Sequence, residues 1–140
     1  LLERDWVNLA GFLNGAIDLV MRVPQSTGPD QWYIVDYKSN RLAPRTQEWV
    51  PATTYQQAPL LEEMAHHDYH LQYHLYTLAL HRFLKSRLPD YDYEQHFGGV
   101  AYMFVRGMVG PSLPHNGVVH ARPSLAVVQA MDEIIGGAHD

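Results

Sequence analysis

Two short segments rich in strand-forming residues lie close together near the start of the chain, and each holds one aspartate in an apolar setting. The first runs from Gly15 to Val23 (Gly-Ala-Ile-Asp-Leu-Val-Met-Arg-Val) and the second from Gln31 to Lys38 (Gln-Trp-Tyr-Ile-Val-Asp-Tyr-Lys). Pro24 to Asp30, with Gly28-Pro29, is a turn by composition. Strands this near in sequence make an antiparallel hairpin the default. With the turn centred near residue 27, cross-strand partners sum to about 54, which sets Asp18 opposite Asp36 on one face, Cβ atoms roughly 5 Å apart. Lys38 follows Asp36 by two residues, so the strand period puts it on that face too.

The physical chemistry of such a face is restrictive. A carboxylate buried in an apolar strand without a partner costs several kcal/mol, and two carboxylates side by side repel. A divalent cation with oxygen ligands relieves both problems. An Asp…Asp-x-Lys arrangement suits phosphodiester hydrolysis, because metal and lysine together offset the charge that grows on the phosphate. The plain alternative is an ion pair of Lys38 with Asp36 or Asp18 at a strand end. The Gly15-x-x-Asp18 pattern on an apolar strand adds weight to the catalytic reading.

The rest of the chain supplies a cover for this hairpin. Ser39 to about Leu60, with Pro44, Pro51 and Pro59, reads as a long loop. A helical pattern runs from Leu61 to about Leu88, with Leu71, Leu75 and Leu78 on one stripe, Leu80, Phe83 and Leu84 adjoining it, and Pro89 as its stop. Gly98 to Val105 is a third strand, and Gly117 to His120 a short fourth within a loop from Arg106 to Arg122. Ser124 to Ile135 is a closing helix, capped by Ser124 and stopped by Gly136-Gly137. The order β-β-α-β-α indicates an α/β protein, a mixed sheet flanked by helices.

A length of 140 residues fits one domain with a single core. The hydrophobic share of 46% is that of a globular protein, and no apolar run would span a bilayer. The absence of cysteine removes disulfides and thiolate-held metals from consideration and suits a cytoplasmic protein. A net charge of −5 argues against a general nucleic-acid coat protein. It leaves a nuclease open, since clustered carboxylates meet the phosphate through a metal. Leu1 to Trp6 shows no cap or turn signal and reads as a cut end.

Four runs carry a family resemblance: Gly15-Ala-Ile-Asp18-Leu-Val, Asp36-Tyr-Lys38-Ser-Asn40, Leu71-Gln72-Tyr73-x-Leu-Tyr76-Thr-Leu-Ala-Leu-His81-Arg82, and His96-Phe-Gly-Gly-Val100. From about Gly11 to about Ile135 the sequence resembles the RecB-type C-terminal nuclease domains, found in the beta subunit of exodeoxyribonuclease V, a bacterial helicase–nuclease that processes double-strand DNA ends. The resemblance implies a restriction-endonuclease-like PD-(D/E)xK core. In that core Asp18, Asp36 and the Tyr37 backbone carbonyl would ligate Mg²⁺, with Asp18, Asp36 and Lys38 the catalytic set. Gln72 and Tyr76 match the family's Gln-x-x-x-Tyr motif and would position substrate. The implied partners are DNA and RecC- and RecD-like subunits, with ATP belonging to the helicase part of a parent protein and no membrane involved. The family has a further histidine ligand on a helix before the first aspartate strand, and this chain has no histidine before His66. The expectation is therefore one domain fragment, residues 1–140, with a truncated core lacking that helix and all helicase regions. Such a fragment would be weak or inactive alone and, through an uncovered sheet face, prone to self-association.

Other clusters have simpler readings. His66, His70 and His74 share a helix face at spacing four, which permits a metal site, but solvated histidines fit the composition better. Arg82, Lys85 and Arg87 complement a helix C-terminus more readily than they track a phosphate backbone. Arg41 and Arg45, in the long loop after Lys38, are better placed for DNA. Tyr91, Tyr93, Tyr102 and Phe104 read as packing. A second function class stays in view: a non-catalytic DNA-binding or subunit-docking module whose carboxylates are relics.

Overall fold

A computed structural model describes residues 15–136. Leu1 to Trp6 and Gly137 lie outside the described residues. Four strands, β1 (Leu19–Val23), β2 (Gln31–Lys38), β3 (Phe97–Phe104) and β4 (Val118–Ala121), form one sheet in the order β1-β2-β3-β4. The hairpin register pairs Leu19 with Val35 and Val20 with Ile34, so partners sum to 54 as the turn position implies. Arg22 and Asp30 pair beside the turn, Nε to Oδ2 at 2.5 Å. β2 and β3 run parallel and β3 and β4 antiparallel, which makes the sheet mixed.

Parallel pairing of β2 with β3 demands a crossover, and helices supply it. α1 (Gln57–His66) and α2 (Tyr69–Arg87) fill the crossover, α3 (Tyr93–His96) leads into β3, and α4 (Leu125–Gly136) follows β4. The helices gather on the face of Ile34, Val100, Tyr102, Phe104 and Val119, which join Leu60, Met64, Leu78, Leu80, Leu84 and Val128 in one core. The opposite face carries Leu19, Met21 and Tyr37, all exposed. β3 approaches β2 closely at Gly98, where a Cβ would enter the ring of Tyr33. Only glycine fits there.

Several details differ from the sequence reading. The segment read as one helix from Leu61 to Leu88 is two. The chain breaks at Asp68, which adopts a left-handed conformation at φ 55°, one that a short polar side chain tolerates. α1 begins at Gln57, earlier than expected, because Pro59 falls in its first turn, where no intrahelical N–H is required. The long loop shrinks accordingly and is pinned at its end. A 3-10 turn at Ala52–Tyr55 buries Tyr55, whose hydroxyl donates to the Asn40 carbonyl at 3.1 Å. The expected leucine stripe also shifts: Leu78 is buried but Leu71 is 60% exposed. The inward positions of early α2 are Tyr69, Tyr73 and Tyr76, spaced as a helix face requires. Ser124 caps α4 as read, accepting from Val127 N through Oγ at 3.4 Å.

Candidate active site

Alternate residues of β2 face the helices, and along that face the strand passes from Ile34, fully buried, to Asp36, only 3% exposed, to Lys38. Asp36 Oδ2 lies 2.7 Å from Lys38 Nζ. At that distance the ammonium is the partner of this buried oxygen, and among the described residues nothing else donates to it. Burial pushes the Asp36 carboxyl above its ordinary value; Lys38 opposes the shift and the Asp18 charge adds to it.

Asp18 is placed differently from the sequence expectation. The register that would set it opposite Asp36 is present, but strand pairing begins at Leu19 and Asp18 sits at a bend just outside it. Its Oδ2 accepts the Tyr37 backbone N–H at 2.9 Å. In an extended strand a residue's N–H and C=O leave on the same side, so the Tyr37 carbonyl shares the edge that Asp18 occupies. Two carboxylates, one of them buried, and a nearby carbonyl are a donor set that fits a hard divalent cation. Among the described residues no group of three or more His, Cys, Asp or Glu side chains could hold a metal. An ion here would therefore take two carboxylates as side-chain ligands and complete its shell with carbonyl and water.

Lys38 is held from α2 and β3. Its Nζ donates to Gln72 Oε1 at 3.2 Å and stands 4.2 Å from the Tyr69 ring centre and 5.3 Å from that of Tyr102. Gln72 Nε2 donates to Tyr76 Oη at 3.1 Å, and Tyr76 in turn donates to the Ala16 carbonyl at 2.7 Å. Gln72 and Tyr76 thus lie together, as their spacing implies, and they link Lys38 to the chain just ahead of Asp18. Tyr102, read from sequence as packing, is fully buried and donates to Gln72 Oε1 at 2.8 Å. Burial, and then the Asp36 charge, hold its phenol well above the ordinary value, which keeps it a donor. No local pattern marks Tyr102. Its place beside Asp36 follows from the parallel register, which sequence spacing does not reveal.

The remaining candidates fall elsewhere. The break at Asp68 separates His66 on α1 from His70 and His74 on α2, so the three do not continue one helix face. His74 Nδ1 lies 2.6 Å from the His70 carbonyl. Arg41 bonds the carbonyls of Ala43, Pro44 and Gln47, which orders its own loop. Arg82 pairs with Asp132 at 2.5 Å. Tyr93 and Phe104 are core residues, as read.

Comparison with known proteins agrees with this geometry. The RecBCD enzyme subunit RecB of Escherichia coli (strain K12) is 42% identical over 133 residues, 95% of this chain and 10% of that protein. The RecB subunit of Haemophilus influenzae is 43% identical over 126 residues, 90% of this chain and 9% of the relative. That of Mycobacterium tuberculosis (strain H37Rv) is 40% identical over 132 residues, 91% of this chain and 11% of the relative. The chain spans about a tenth of the length of the curated relatives it matches. A family model described as the PD-(D/E)XK nuclease superfamily matches residues 3–131. Since that match runs through both aspartates, the lysine and every strand of the sheet, the chain belongs to the PD-(D/E)XK nuclease superfamily.

Proposed function

We propose that this chain is the Mg²⁺-dependent DNA-cleaving core of a RecBCD-type helicase–nuclease, of the exodeoxyribonuclease V type, which processes double-strand DNA ends alongside RecC- and RecD-like subunits. The observation that carries the reading is Asp36: a buried carboxylate whose charge is met by Lys38 at 2.7 Å and crowded by a second carboxylate, Asp18. Two carboxylates held close together against one lysine leave negative charge in excess, which a divalent cation with oxygen ligands would offset.

Asp18, Asp36 and the Tyr37 carbonyl would hold the ion. Bound there, it supplies positive charge against the scissile phosphate and makes water nucleophilic near neutral pH. Asp36 is held in place by its burial and by Lys38, so its position is set before any ion arrives. Asp18, tied to the Tyr37 N–H, is held at the strand edge where the carbonyl emerges. Lys38 has donors only and cannot ligate a cation. Its ammonium, directed by Gln72, stabilises charge on the phosphate oxygens as the P–O bond breaks.

The test uses the protein at its natural length. Mn²⁺ calorimetry should show binding that Asp18→Ala weakens and Asp36→Ala abolishes. Lys38→Ala should keep that affinity and lose Mg²⁺-dependent DNA cleavage by about two orders of magnitude or more. Metal binding unchanged in both aspartate variants would remove the central claim. DNA binding without Asp36-dependent cleavage would point instead to a docking module.

A further inference from the structure

We infer that Tyr102 is a positioning residue for Lys38: its hydroxyl fixes the Gln72 amide so that the oxygen, and not the NH2 group, faces the lysine. The inference rests on the nuclease reading above and adds to it a residue that no sequence motif marks.

The argument is a count of donors and acceptors. An amide has nearly the same shape either way round, but its two ends differ chemically. With the amide reversed, the NH2 group would face the Lys38 ammonium, donor against donor, and the lysine would lose its anchor. Two contacts prevent the reversal. On one side Tyr102 donates to Gln72 Oε1 at 2.8 Å; its other acceptor, the Tyr69 carbonyl, is farther at 3.3 Å. On the other side Tyr76 has its single proton engaged with Ala16 O at 2.7 Å. Its lone pairs are then left to accept from Gln72 Nε2 at 3.1 Å. Reversal would break both bonds. Tyr102, fully out of water, would have to turn its proton from a 2.8 Å acceptor to the Tyr69 carbonyl at 3.3 Å. Tyr76, its proton held by Ala16 O, would face Oε1 with lone pairs alone.

The rings complete the seat. Lys38 Nζ lies over Tyr69 at 4.2 Å and near Tyr102 at 5.3 Å, distances at which an aromatic face attracts a cation. Tyr102 pairs in register with Asp36 on the neighbouring strand. One β3 residue therefore braces the carboxylate's strand and orients the amide that holds the lysine.

The test is Tyr102→Phe in the protein at its natural length, a change that keeps the ring and removes the hydroxyl. The first readout needs no catalysis: acylation of Lys38 by an amine-reactive reagent, mapped by mass spectrometry. Labelling should be several-fold faster in the variant. The second readout is cleavage, where kcat should fall by about tenfold or more while KM stays within about twofold, as loss of positioning without loss of binding requires. Tyr102→Phe should add almost nothing in a Gln72→Ala background, since the two act as a unit. Tyr76→Phe approaches the amide from its other end and should also speed Lys38 labelling, which covers the case of a misfolded Tyr102 variant. Unchanged labelling in the folded variants, or a full additive effect with Gln72→Ala, overturns the inference. A parent protein that cleaves nothing while its variants label faster overturns the nuclease reading and leaves the positioning intact.

Discussion

The two halves of α2 do different work. From Tyr69 to Tyr76 the inward residues are tyrosines and a glutamine, all partly accessible, joined by side-chain hydrogen bonds to β2, β3 and the chain ahead of β1. From Thr77 to Leu84 the inward residues are Thr77, Leu78, Leu80, His81 and Leu84, all buried. One helix therefore places its polar half over the charged end of β2 and its apolar half against the core. The difference teaches that, within α2, the site is held by the half that contributes less to the buried core.

The largest effect that would test this division is in the second half. Leu84 is 1% exposed, and Leu84→Ala should destabilise the fold by about 2–5 kcal/mol, from lost burial and the cavity left behind. Urea denaturation measures it. Well below its melting temperature the variant should cleave as the parent does. Cleavage lost before stability would break the comparison.

Gln72→Ala, in the first half, should invert that outcome. It removes the acceptor of Lys38 and Tyr102, so kcat should fall by about ten- to a hundredfold, with stability reduced by only about 1 kcal/mol. Steady-state kinetics beside a denaturant melt would decide it. A loss of stability matching that of Leu84→Ala would make Gln72 a core residue.

The smallest effect concerns His81, whose Nδ1 lies 2.9 Å from the Tyr91 hydroxyl. Burial, and then the Lys85 charge, hold its imidazole below the ordinary 6.5; Asp132 opposes this and Arg82 adds to it. Because the folded pKa is the lower one, the unfolded chain takes up a proton first as pH falls through 6.5. Stability contributed by neutral His81 is thus fully present above that value and declines below it, until the folded imidazole protonates as well. Melting curves from pH 7.5 downward should fall more steeply for the parent than for His81→Gln. Parallel curves would show that His81 is no more sensitive to acid in the folded chain than in the unfolded one.

How much of this was legible from sequence follows from the range of the contacts. The hairpin register could be read because turn position fixes it, and β-branched runs bounded by Gly and Pro marked its strands. Asp36 and Lys38 were legible for the same reason. Asp18 was only partly so: the register was right, but pairing stops at Leu19 and the carboxylate turns to the Tyr37 N–H. The break at Asp68 carries no sequence signal, since neither Gly nor Pro lies between Pro59 and Pro89. Following leucines also misplaced the inward face of early α2, where tyrosines occupy the helical stripe. Tyr102 stayed hidden because the β2–β3 register depends on how the crossover helices pack, and no local signal encodes that.

The pairing of Trp32 with Phe97 and of Asp36 with Tyr102 joins segments far apart in sequence, whereas the hairpin joins neighbours. The hairpin alone contains both carboxylates. The seat of Lys38 does not exist until β3 has docked, since Tyr102 arrives only with it. Bringing the two carboxylates together and aiming the lysine are therefore separate events in the assembly of this molecule. A form that had closed the first but not the second would hold its two carboxylates near each other, with its lysine still unaimed.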